Sequence, residues 1–128
     1  MATLLPRLAH CADTPEALAA IRDADCNLAI WRRAPFADFT PLTRGTPKDL
    51  RFTSDAGSLS ETLLRTLQHG GFGGDGALHH ALTDDAVRLA ALFCDALDLA
   101  RFELRLEVVR TDSCRKFHAD YVSARLIT

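Results

Sequence analysis

In residues 102–108, Phe102, Leu104, Leu106 and Val108 alternate with Glu103, Arg105 and Glu107. A period of two marks a β-strand with one buried and one wet face, because successive side chains point to opposite sides of the backbone. Such a strand cannot stand alone. Its apolar side must be covered, and an antiparallel sheet is the arrangement that tolerates one solvated face. The covering elements lie upstream. Leu59, Leu63, Leu64 and Leu67 recur at helical spacing after Ser58-Leu-Ser-Glu61, a capping-box pattern, and Gly70 is the expected stop. A second helix is expected from about residue 84 to 99, capped by Thr83-Asp84-Asp85. Val87, Ala90, Ala91, Cys94 and Leu97 line one side of it.

The earlier part of the chain is less regular. Asp13 or Thr14, followed by Pro15 and Glu16, predicts a helix start, with an apolar stripe of Ala17, Leu18, Ala20 and Ile21 running to about Ala24. CNLAIW (residues 26–31) reads as a short buried strand, with Trp31 as a core anchor and Arg32 and Arg33 as a solvated pair at its exit. Pro35, Pro41, Gly45 and Pro47 allow only turns or a short helix, and Arg51-Phe52-Thr53 a short strand. GGFGGDG (residues 70–76) lacks the Lys-Ser/Thr of a phosphate loop and follows a helix, so a mobile connection is expected. Residues 117–128 read as a further strand, with Val122, Ala124 and Leu126 on one face. The expected fold is α+β, one domain over residues 1–128, with N-terminal helices (about 13–99) packed on an antiparallel sheet (about 101–128).

Charge and composition exclude several classes. The 15 basic and 17 acidic residues are spread along the chain and give a net charge of −2, with no basic block of the kind that tracks nucleic acid. No apolar run approaches the ~20 residues of a membrane helix. The N-terminus lacks a signal-like apolar core, so a cytoplasmic protein is expected. Four cysteines, Cys11, Cys26, Cys94 and Cys114, form no CxxC, which argues for reduced thiols rather than a zinc ribbon or disulfide framework.

The sharpest chemical signal is His118-x-Asp120. On a strand these side chains share a face, and an imidazole beside a carboxylate can fill two corners of a metal's coordination. Arg125 lies further along the same segment and can clamp a carboxylate, although strict alternation points it to the other face. Cys114 stands four residues before His118 and offers a soft third donor or, with His118, a nucleophilic pair lacking an orienting partner. The bland alternative is a surface hydrogen bond between His118 and Asp120. His10, His69, His79 and His80 read as surface residues.

NLAIWRR (residues 27–33) and CRKFHADYVSARLIT (residues 114–128) resemble the Asn-Leu-Ala-x-Trp-x-Arg stretch and the Cys-Arg-x-Phe-His-x-Asp segment of a bacterial family, the domain of unknown function 1826. The resemblance implies that members run on to a downstream His, so that this chain would be an incomplete domain. It carries over Cys114, His118, Asp120 and Arg125. The order of HxD before a distal His is similar to that of Fe(II)/2-oxoglutarate oxygenases, which implies a double-stranded β-helix (cupin-like) sheet. An association with zinc-related gene neighbourhoods implies zinc instead. Three readings follow: an oxygenase-like domain with Fe(II) on His118 and Asp120; a non-catalytic zinc module using Cys114, His118 and Asp120; and a structural fragment without a site. A sheet edge exposed at residues 117–128 would also favour a homodimer.

Overall fold

The structure, a computed structural model, describes residues 8–109 and 124–128. Among the described residues the strands form two separate pairs. β3 (Leu50–Ser54) and β4 (Phe102–Leu106) run antiparallel, with Leu50 opposite Leu106, Phe52 opposite Leu104 and Ser54 opposite Phe102. This register puts all the apolar residues of both strands on one face. The helices α1 (Leu59–His69) and α2 (Gly76–Leu97) cover it. Leu59, Leu63 and Leu67, four residues apart, form the buried stripe of α1 and meet Ala90 of α2; Leu50, Phe52, Phe102, Leu104 and Leu106 pack against them. The alternation in residues 102–108 thus finds the partner it requires, and the mixed helix-and-strand class with a small antiparallel sheet is observed.

The wet face of this pair is a charge ladder. Arg51 lies directly opposite Arg105, a repulsive cross-strand pairing. Glu103 relieves it: its carboxylate lies 3.1 Å from the Arg51 Nε and 2.7 Å from the Arg105 Nε. The hydrogen bond from Arg105 holds the Glu103 carboxyl below its usual range; desolvation opposes it, and the charge and hydrogen bond of Arg51 add to the lowering.

Helix boundaries differ from expectation where a nearer cap wins. Ser58 already has helical torsions and does not cap α1. Asp55 does so instead, accepting from the Ser58 N–H at 2.8 Å and from the Ser58 hydroxyl at 3.3 Å. Glu61 pairs with Arg65 rather than closing a capping box. α2 begins at Gly76, not near residue 84, because the Asp75 carboxylate accepts from the Leu78 N–H at 2.9 Å. Thr83 therefore sits inside the helix, fully buried, with its hydroxyl donating to the His79 carbonyl at 2.8 Å.

The glycine-rich connection is packed rather than open. Gly45 and Phe72 form an isolated bridge, the Lys48 N–H donates to the Gly70 carbonyl, and the Gly73 N–H donates to the Leu42 carbonyl. A Cβ on Gly71, whose φ is +81°, would run into the Thr46 carbonyl, and one on Gly73 into the Pro41 carbonyl. The glycines serve close approach of two backbones.

The second pair is parallel: β1 (Leu8–Ala12) and β2 (Cys26–Trp31), with His10 opposite Ala29 and Ala12 opposite Trp31. His10 lies on β1. Parallel neighbours need a crossover, and here it is a 3-10 helix, Pro15–Arg22, in place of the expected α-helix. Neither Asp13 nor Thr14 caps it through a side chain; the Ala17 N–H bonds to the Thr14 carbonyl. At ~2 Å per residue a 3-10 helix of this length covers roughly the span of a five-residue strand, which an α-helix at ~1.5 Å per residue would not. Of residues 117–128, read above as a strand, residues 124–128 are in neither helix nor strand and the remainder lies outside the described residues.

Leu63→Ala should lower unfolding free energy by about 2–5 kcal/mol in a urea titration, as expected for a fully buried leucine at the centre of a core. Gly71→Ala should lower it by about 1–3 kcal/mol, because positive φ and a carbonyl clash act together. An unchanged midpoint for Gly71→Ala would mean that the connection is open after all.

Candidate functional site

Where β2 ends, the chain brings several chemically active side chains together. Trp31 is the last residue of β2, and Arg33 follows two positions later. Arg33 is drawn inward by Asp85 of α2 in a two-bond fork: Nη1 donates to Oδ1 at 2.5 Å and Nη2 to Oδ2 at 2.8 Å. Their side chains retain only 24% and 12% of their exposure. The fork matches guanidinium to carboxylate geometry, and partial burial removes much of the solvent screening that makes surface pairs weak. The hydrogen bonds that Arg33 donates to Asp85 raise the Arg33 pKa further, burial opposes this, and the carboxylate's charge adds to it. Asp85 was expected to cap α2; the earlier helix start frees it for this role.

Arg33 also stacks. Its guanidinium carbon lies 5.0 Å from the Trp31 ring centroid and 5.3 Å from that of Phe36. Arg88, one helical turn from Asp85, places its own guanidinium 5.0 Å from the Trp31 centroid. The electron-rich ring face attracts both cations. Trp31 is half-buried under these groups rather than a core anchor. Finally, the Arg33 Nη2 donates to the Thr128 hydroxyl at 2.9 Å, which ties residues 124–128 to the end of β2. The expectation of a solvated arginine pair holds only for Arg32, whose bridge to Asp13 at 3.0 Å is exposed on both sides.

The residues singled out for metal chemistry are distributed differently. Cys114, His118 and Asp120 lie outside the described residues. Arg125 is exposed and borders a hollow of about 240 Å³ between Leu126, Leu18, Leu28 and Leu89. His10, His69 and His80 are exposed, as expected. His79 is not: it is buried, and its Nε2 donates to the Gly73 carbonyl at 2.9 Å, pinning the glycine connection to α2. Cys94 is half-buried in α2, and burial first, then the nearby Asp95 and Asp55 carboxylates, push its thiol up, the opposite of what a nucleophile needs. Among the described residues no three His, Cys, Asp or Glu side chains are grouped to hold a metal ion. No helix of the described residues is long and apolar enough to cross a membrane.

Fold and site together define a small α+β protein with two helices over an antiparallel pair and an arginine–aromatic junction beside a parallel pair. The model of the family described as "Protein of unknown function (DUF1826)" matches residues 12–128, and the chain belongs to that family. No curated protein and no solved structure shows a match.

Asp85→Ala should leave the Arg33 guanidinium half-buried without its carboxylate and lower stability by about 2 kcal/mol. Trp31 is the single tryptophan, so its emission reads the same event: the spectrum of the folded variant should differ from that of the native protein. An identical spectrum and midpoint would show that the fork does not hold the junction.

Proposed function

We propose that the chain carries part of a metal centre, with His118 and Asp120 as two of its ligands. What supports this is the His-x-Asp spacing: on a strand, two positions apart would put an imidazole and a carboxylate on one face. Membership of the family supports it, because the segment that holds the pair lies within the matched residues. The donor set suits Fe(II) in kind, since imidazole plus carboxylate is the pairing of a facial triad, and falls short of it by one histidine. The distal His or a second copy of the chain would supply that ligand. This reading includes the cupin-like double-stranded β-helix and a cytoplasmic setting. Bound Fe(II) would supply oxygen-activating chemistry, with 2-oxoglutarate as co-substrate by analogy. Arg125 would orient a co-substrate carboxylate.

One observation favours a second reading. Cys114 lies four residues before His118, and a thiolate beside an imidazole selects zinc over iron. The chain would then be a zinc-handling module with no reaction of its own.

Anaerobic dialysis against Fe(II), and separate dialysis against Zn(II), followed by elemental analysis, tests both. In the iron reading His118→Ala and Asp120→Ala lose most of the bound iron, Cys114→Ser retains it, and oxygen is consumed with 2-oxoglutarate. In the zinc reading Cys114→Ser loses zinc and no oxygen is consumed. Undiminished metal in His118→Ala overturns both readings, and a native chain that binds neither metal is a structural unit without a site.

A further inference from the structure

The junction at the end of β2 has a second side. The end of β2, the segment of residues 34–39 and residues 127 and 128 together line an open cavity of about 480 Å³. That volume is within the range of small-molecule sites. Its walls are partly apolar: Ile30, Trp31, Phe36, Phe39 and Ile127 all line it. Phe36 keeps 53% of its exposure and Ile127 79%, so the cavity collects large apolar side chains that the fold leaves uncovered. No aspartate or glutamate is among the described residues that line it, while Arg32 and Arg33 both are.

Arg33 is prepared for an anion. Asp85 occupies the end of its guanidinium through Nη1 and Nη2, and the Trp31 and Phe36 rings flank it. These contacts fix the group before any ligand arrives, so little side-chain entropy is left to lose on binding. The remaining edge is shared by Nε and Nη2, and there the Thr128 hydroxyl accepts at 2.9 Å. An oxygen acceptor thus already stands where one oxygen of a carboxylate would sit in a side-on pair. Asp85 cancels one positive charge, and Arg32 contributes a second that is only partly committed to the exposed Asp13.

We propose that this cavity binds a small amphipathic carboxylate, with an apolar or aromatic body against Phe36, Ile30 and Ile127. Its carboxylate takes the Nε–Nη2 edge of Arg33 in place of the Thr128 hydroxyl. The site is independent of the metal proposal and uses none of its ligands.

Trp31 lies in the wall and is the single tryptophan, so its emission reports occupancy directly. The full chain is titrated with phenylacetate as the probe and with phenylacetamide as its uncharged isostere. Phenylacetate should change the emission saturably, and phenylacetamide should bind at least ~10-fold more weakly, as loss of a charge-assisted pair implies. Phe36→Ala, at an exposed position that the core does not use, should weaken phenylacetate ~10-fold while leaving the unfolding midpoint in place. Arg33→Gln should abolish the preference for the charged probe. No saturable change with phenylacetate overturns the proposal, as does equal binding of the amide or an unaffected Phe36→Ala.

Discussion

The rest of the structure depends on covering one face of a two-stranded sheet. β3 and β4 alone would be marginal in water, since a pair of strands has too little apolar surface to offset the ordering of its backbone. The leucine stripe of α1 changes that by placing Leu59, Leu63 and Leu67 against Phe52, Leu104 and their neighbours. The two strands are also distant in sequence, with both helices between them. Pairing them closes a long loop, and helices that form from local contacts reduce the disorder that must be lost in doing so. The packed glycine connection contributes by fixing the turn between the helices to the segment that precedes β3.

The second strand pair is joined to this core by electrostatics as well as by packing. Arg33 reaches from the end of β2 to Asp85 on the flank of α2. Trp31 receives a guanidinium from each side of that link, one from the strand exit and one from the helix. The same arginine holds Thr128. One side chain therefore relates three parts of the chain, and it does so with a rigid planar group that a lysine could not replace.

Much of the core was legible in the sequence because it is periodic. The alternation in β4 and the four-residue spacing in α1 each fix which face turns inward. What escaped was set by competition or by distance. Asp75 and Asp55 outrank the caps at Thr83 and Ser58, and a sequence offers all four with equal plausibility. β1 has five residues, two of them alanine, so LAHCA shows no clear period. The Arg33–Asp85 fork joins positions 52 apart, beyond the reach of any local pattern. Its components were visible as an arginine pair and a helix cap, and both assignments pointed outward. The candidate metal ligands show the converse: His118 and Asp120 are legible from spacing alone, as a chemical motif without its surroundings.

The order of β3 and β4 in the chain has a consequence for synthesis. A ribosome releases β3 first, then α1, then α2, and only afterwards the strand that completes the sheet. During that interval Leu50 and Phe52 have a leucine-rich helix to rest against but no hydrogen-bonding neighbour along the backbone. The nascent chain is then most exposed to pairing with the wrong strand. Arg51, which points away from the core and has no carboxylate beside it until Glu103 emerges, is the residue that makes such a mispairing unfavourable for a basic intruder.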